Sequence, residues 1–253
     1  SFMKRTIISV LFVVVLVLGT VGVSEAGIRP LNGLVIMLDP GHGGSDSGAI
    51  GPTGLKESDT NLRVARYLRQ LLLADGAEIL MTRTSDVFLS LNDRVDLAKK
   101  NTPDLFVSIH HNASLRPGVE NRGEIYFNSL DRGIPLRVAE SMNVELGQSN
   151  LASKSTVIPG GFYVLRNNSV PAVLTEASYI SDPKNEKALK TGRSLTEEAQ
   201  RFRLAIRHVF GNIGPLRVRV ISGAPAKASS PYFNLLMEAT KPIGKIEVRM
   251  QGL

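Results

Sequence analysis

The chain contains no cysteine, which excludes disulfides, thiolate nucleophiles and cysteine-bound zinc. Any metal site must then use histidine and carboxylates. Histidine is itself scarce: His42, His110, His111 and His208 are the whole set. Aromatic residues make up only 6%, and no basic-aromatic platform of the kind that grips nucleic acid is found. Internal repeats and low-complexity tracts are absent.

What is present suffices for a substantial core. The 253 residues are 43% hydrophobic, which fits one domain of about 180–200 residues with a small appendage. The formal charge of +7 favours polyanionic partners: nucleic acid, anionic membranes or acidic wall polymers. The N-terminus narrows that choice. Lys4 and Arg5 precede an almost wholly apolar run, 7–23, loosened by Gly19 and Gly22. Ser24-Glu25-Ala26 then places small residues at −3 and −1 of a cleavage site after Ala26, the pattern of a secretory signal peptide. The alternative is an uncleaved anchor, for which the run is short. The expectation is a signal peptide over 1–26, with Ser1-Phe2 a cloning remnant, and an exported protein of the periplasm or cell wall. Losing two positive charges and one negative leaves it at +6, with no stable membrane partner and no access to nucleic acid.

Hydrophobic periodicity predicts strands at 34–38, 77–81, 105–109, 123–127, 161–165 and 172–174, and helices at 61–73, 91–99, 134–146 and 195–210. Ser58 or Asp59 is expected to cap the first helix. This alternation predicts an α/β fold: a central mixed, largely parallel sheet flanked by helices on both faces. Residues 27–211 form the main domain. Residues 212–253, with alternating Val and Arg at 216–221, read as a short β-rich C-terminal appendage, either a partial module or strands packed against the main domain. Arg217 and Arg219 are expected on a solvated strand face.

Polar clusters follow the apolar runs 34–38, 105–109 and 172–174, so they should gather on one sheet edge, where such folds bind ligands. His42 sits in the glycine-rich stretch Asp39-Pro40-Gly41-His42-Gly43-Gly44. Glu57 precedes the first long helix; alone, it reads as a carboxylate favoured by the helix dipole. His110 and His111 end a strand, where alternation lets only one face a given site. Glu176 ends an apolar strand, and a buried carboxyl there has the raised pKa a general base near neutrality needs. Together, two histidines and a carboxylate suit a three-ligand zinc site with one open position. The spare glutamate would take a proton from the attacking water and return it to the leaving amine.

The segments DPGHGGSDSGA, GLKES, SIHHNAS, RGEIYF and PAVLTEASYISDPKNE, in this order, resemble the zinc-dependent N-acetylmuramoyl-L-alanine amidases of the cell wall. The resemblance runs from about Val35 to Phe210. It implies hydrolysis of the amide between N-acetylmuramic acid and L-alanine of peptidoglycan, with one Zn2+ per chain. It implies zinc ligands at His42, Glu57 and His110 and a catalytic Glu176. The family often has Ala where His111 stands, so a bulkier polar group is expected beside the metal, and Ser178-Tyr179 replaces its usual Gly-Phe. Some relatives carry a long inserted helix that blocks the site until a partner removes it. The stretch 127–159 holds one ordinary helix, so an unblocked site is expected. Asn61, Arg94, Asn112, His111 and Asp46 are candidates to touch substrate or support the ligands; for Arg94 a structural salt bridge competes. His208 is expected at the surface. The rival readings are another zinc hydrolase of peptidoglycan, a peptidase or deacetylase, and a catalytically inactive wall-binding protein.

Overall fold

The structure is a computed structural model that describes residues 29–115, 121–150, 152, 154–211, 218–222 and 236–239. The predicted signal segment lies outside the described residues, as does Arg217. Among those described, no helix is long and apolar enough to cross a membrane.

The main sheet has six strands: β1 (Val35–Pro40), β2 (Glu78–Met81), β3 (Leu105–Asn112), β4 (Arg122–Phe127), β5 (Lys154–Pro159) and β6 (Ala172–Tyr179), in the order β2-β1-β3-β6-β4-β5. Strands β2, β1, β3 and β6 are mutually parallel, whereas β4 pairs antiparallel with β6 and parallel with β5. The sheet is therefore mixed and largely parallel. The strands of its centre are apolar on both sides because both faces are covered. On β3, Leu105, Val107 and Ile109 pack into one core with α1 (Glu57–Ala74), α3 (Ile134–Leu146) and α6 (Gly192–Phe210). Phe106, between them, joins Met37, Ala172 and Leu174 against α2 (Leu91–Asn101) and α4 (Tyr163–Arg166). The period-2 alternation of the strand thus sorts its side chains into two separate cores.

Three local expectations are corrected. First, 161–165 is not a strand: the run Phe162-Tyr163-Val164-Leu165 turns into α4 and plugs Val164 and Leu165 into the smaller core. A short apolar run does not by itself separate strand from helix. The edge position belongs instead to β5, whose sequence KSTVIP is too polar to stand out. Second, α1 starts at Glu57 after Lys56, with no side-chain cap. The amides of Glu57 and Ser58 donate to the carbonyls of Ala49 and Ser47 at 2.9 and 3.1 Å, so the preceding loop satisfies the helix start. Third, α5 (Pro183–Lys190) has no counterpart in the periodicity. Its signal was the Asp182-Pro183 pair: Asp182 accepts from the amides of Lys184 and Asn185, and Pro183 opens the helix. Within 212–253, β7 (Val218–Ser222) and β8 (Leu236–Ala239) pair antiparallel in a sheet of their own.

Helix α5 holds the approach to α1. The buried carboxylate of Glu186 accepts from the amides of Thr53 (2.9 Å) and Leu55 (3.1 Å). A Cβ at Gly51 would lie 2.6 Å from the same carboxylate, so the loop can close this tightly only over glycine. Burial pushes the Glu186 carboxyl up, but these amides and Lys190 outweigh it and hold it below the usual value of 4.5. A depressed carboxyl stabilises the fold above its unfolded pKa, and the contribution is lost as pH falls through the folded value. Glu186→Gln is therefore expected to be less stable than wild type at pH 7, with the two converging as pH falls below 4.5. Urea unfolding across that range reads the gap; a constant gap down to pH 3 contradicts it.

Candidate functional site

The carboxyl ends of β1, β3 and β6 lie side by side, and the site is assembled on them. At the end of β1, Asp39 is fully buried and accepts from Arg94 (2.6 Å), Thr82 (2.7 Å) and Ser108 (2.8 Å). The chain then leaves the sheet through Gly41 into a loop where His42 itself has φ 60°. A left-handed histidine is costly and is held only when its surroundings over-determine it. Two arginines do so. Arg94 donates to the carbonyls of Pro40 (3.0 Å) and His42 (2.9 Å). Arg83 donates to Pro40, Gly41 and Ser58, each at 2.9 Å. Arg83 thus ties the His42 loop to the first turn of α1.

That clamp brings His42, Glu57 and His110 together, with their ligand-capable atoms all within 4.8 Å of one another. Glu57 Oε1 lies 3.2 Å from His42 Nε2 and 3.0 Å from His110 Nδ1. It also receives the Asn61 amide and the His111 backbone N–H, each at 3.2 Å, while its Oε2 takes the Ala49 amide at 2.9 Å. Asp46 lies 2.8 Å from His42 Nδ1, which turns His42 Nε2 toward the centre. Glycine permits the crowding. A Cβ at Gly41 would sit 2.1 Å from the His110 ring, and one at Gly48 would sit 2.6 Å from both Glu57 and His42. For His42, burial acts downward, but the hydrogen bond and charge of Glu57 outweigh it and raise the ring to about 9. For Glu57, burial acts upward and the two imidazoles outweigh it, so the carboxyl falls far below its ordinary value.

Glu176 stands on the same face: it is the register partner of His110 on one side and of Glu124 on the other. Its Oε2 is sealed from solvent and has no hydrogen-bond partner among the described residues. Burial, then the charges of Glu57 and Glu124, push its pKa well above the usual value. The cleft that opens here, about 390 Å³, is lined by His42, His110 and Glu176 together with Phe88, Leu91 and Phe162. Among the described residues, none that lines it lies between β4 and β5; α3, the helix there, packs on the opposite face.

His111 does not turn its side chain to the cleft. Its ring points to the other side of β3, fully buried between Asn61 (2.8 Å) and Glu198 (3.0 Å), because successive strand residues face opposite sides. Arg94 lines the cleft, with its guanidinium engaged by Asp39, the salt-bridge alternative, and by the loop carbonyls. Asn112 donates to Glu124 at 2.9 Å, away from the three ligand-type groups. His208 is exposed, 3.5 Å from Glu145. Sequence reasoning missed Arg83, Glu124 and Glu198. Glu124 accepts from Asn112, Arg122 and Tyr126; the one available signal was its alternation within the strand run 123–127. Nothing local marked Arg83 or Glu198.

A sequence profile described as N-acetylmuramoyl-L-alanine amidase matches residues 36–208. The chain is 33% identical over 222 residues to N-acetylmuramoyl-L-alanine amidase AmiC of Escherichia coli O6:H1, covering 71% of this chain and 53% of AmiC. It therefore spans about half the length of that relative. Among solved structures it resembles N-acetylmuramoyl-L-alanine amidase AmiC2 of Nostoc punctiforme, with a TM-score of 0.64, 30% identity and coverage of 68% of this chain and 94% of that one. It also resembles the catalytic domain of the amidase CwlV from Bacillus (Paenibacillus) polymyxa var. colistinus, with a TM-score of 0.62, 31% identity and coverage of 69% and 97%.

The Asp39–Arg94 pair generates a prediction of its own. Removing one partner of a buried ion pair leaves an uncompensated charge, at a cost of about 3–5 kcal/mol. Arg94→Met is expected to lose that much in urea unfolding, and Arg94→Met/Asp39→Asn to recover part of it. A single variant within about 1 kcal/mol of wild type, the scale of an exposed pair, would contradict the bracing role.

Proposed function

The chain belongs to the N-acetylmuramoyl-L-alanine amidase family, and from that premise we propose that it hydrolyses the amide joining N-acetylmuramic acid to L-alanine in peptidoglycan. His42, Glu57 and His110 are the proposed ligands of one zinc ion and Glu176 the proposed general base. The observation that carries this reading is the pairing of that three-residue donor cluster with an unpartnered, sealed carboxylate oxygen in one cleft.

The donor set fits zinc: two imidazoles and one carboxylate, without sulfur, are a catalytic combination with room for a further ligand. When bound, zinc supplies a Lewis acid for the scissile carbonyl and lowers the pKa of water. The chain's own groups do the rest. Asp46 holds His42 in the tautomer that leaves Nε2 free for coordination. Glu57 contributes a negative charge and is held by donors from Asn61, His111 and Ala49. Glu176 takes the proton of the attacking water and returns it to the leaving L-alanine nitrogen. Its raised proton affinity suits both halves of that transfer. Phe88, Leu91 and Phe162 line the cleft as exposed apolar surface that a substrate can cover.

Residues 1–26 are proposed as the export signal, placing the enzyme in the periplasm or cell wall. Residues 27–211 are the proposed catalytic domain, and 212–253 a β-rich extension. With the cleft clear of the β4–β5 connection, the site is proposed to be open without an activator.

Purified protein incubated with peptidoglycan is expected to release stem peptides with a free L-alanine amino terminus, identified by mass. Glu176→Gln is expected to lower kcat by about 10²–10⁴-fold while zinc content stays at one per chain. Full activity in the variant would move the base elsewhere. Released acetate, or cleavage within the peptide, would replace the amidase with a deacetylase or peptidase. Activity that appears only after an activator is added would overturn the open site.

A further inference from the structure

Behind Glu57, on the far side of β3 from the cleft, lies a polar chain whose far end, the His111 ring and Glu198, the proposed reaction does not use. Asn61, one turn along α1, donates from Nδ2 to Glu57 Oε1 (3.2 Å) and to the Gly41 carbonyl (3.3 Å). Two acceptors on one side determine which way this amide points. Its Oδ1 therefore faces His111 Nδ1 at 2.8 Å, and that nitrogen must carry a hydrogen. The other ring nitrogen of His111 meets Glu198 of α6 at 3.0 Å. The backbone N–H of His111 also donates to Glu57 Oε1. Glu57 is thus held from behind twice, by the His111 main chain and by the Asn61 amide that the His111 ring orients.

This arrangement is expensive as packing. The side chains of His111 and Glu198 have no solvent exposure, and Glu198 Oε1 has no hydrogen-bond partner among the described residues. Their neighbours in sequence, Ile109, Leu195, Ala199 and Phe202, all belong to the larger apolar core. Two apolar side chains of similar volume would fill the space without desolvating ionisable groups. The location is also specific. The β3–β6 register shifts between His110 and Asn112, a kind of irregularity that re-aims side chains beside functional sites. On the helix side, Glu57 begins α1 without a side-chain cap, its backbone held by the preceding loop.

We propose that His111 and Glu198, acting through Asn61, are positioning residues that fix the Glu57 carboxylate for metal binding, at the expense of fold stability. The inference rests on the metal reading above. It separates two quantities that a purely structural pair would keep together: stability without metal and affinity for metal.

The test compares the full chain with His111→Leu/Glu198→Met, which removes both ionisable groups at similar volume. Two readouts are used: the urea unfolding midpoint without metal, and the zinc dissociation constant from competition with a chromophoric chelator. The expected result is an unchanged or higher midpoint with zinc bound about 10–100-fold more weakly, the usual cost of losing a group that orients a ligand. His111→Asn/Glu198→Met restores a donor opposite Asn61 and is expected to recover affinity to within about threefold of wild type, well inside that range. Wild-type affinity in the first variant overturns the proposal. So does a first variant that fails to fold or unfolds at lower urea, which makes the pair structural, or failure of the second to recover affinity. If wild-type protein takes up no zinc, the metal reading fails and this one with it. Zinc uptake by wild type, with equal affinity in the variants, sinks this inference alone.

Discussion

The site depends on a buried carboxylate that is not itself part of the reaction. Asp39 closes β1 with its side chain wholly inside, and its partners come from α2 (Arg94), the residue after β2 (Thr82) and β3 (Ser108). An unpaired charge there would be prohibitive, so these elements are obliged to converge where the chain leaves the sheet. Arg94, once drawn in, has donors left over, and they reach the carbonyls of Pro40 and His42. Arg83 adds Gly41 and Ser58. Polar backbone at a sheet edge, which would otherwise need water, is thus satisfied by two guanidinium groups. The loop bearing His42 is held in a conformation it would not adopt alone.

The two faces of the sheet divide the labour. Under α1, α3 and α6 lies the larger core, with Leu68, Leu72, Phe202 and Ile206 fully buried. The other face carries a smaller core under α2 and α4 and gives way at its carboxyl edge to the cleft. Strand alternation makes this possible. His110 faces the cleft while His111, one residue on, enters the larger core and meets Glu198. The same strand end therefore supplies a cleft-facing imidazole and a support for Glu57, on opposite sides.

Charge is distributed around the cleft in a way that suits the proposed chemistry. Glu57 Oε1 is saturated by the Asn61 amide, the His111 backbone N–H and its contacts with both imidazoles. Glu124 is likewise saturated, by Asn112, Arg122 and Tyr126. The charges of Glu57 and Glu124 lie beside Glu176, whose Oε2 has no hydrogen-bond partner among the described residues. Three carboxyl groups share a small region, and burial together with the charges of the other two raises the proton affinity of Glu176.

Much was legible in the chain by itself, for reasons of local physics. Apolar runs ended by glycine, histidine or glutamate located β1, β3 and β6. Helical spacing located α1, α2, α3 and α6. The lack of cysteine and the scarcity of histidine narrowed any metal site to a few residues. Shared order along parallel strands placed His42, His110 and Glu176 at one edge. Periodicity could not separate a short helix from a strand at 163–166, nor detect the polar edge strand β5. It could not decide which of His110 and His111 joins Glu57, because that depends on which layer each strand face meets. The roles of Arg83, Glu124 and Glu198 were not legible in sequence for a common reason. Each acts through partners brought to it by packing: carbonyls of a distant loop, donors on neighbouring strands, and a histidine 87 positions away. Residue type and local spacing determined which groups were available to the site. Tertiary structure decided which of them meet, because burying a polar group is tolerable only where the fold delivers its partner.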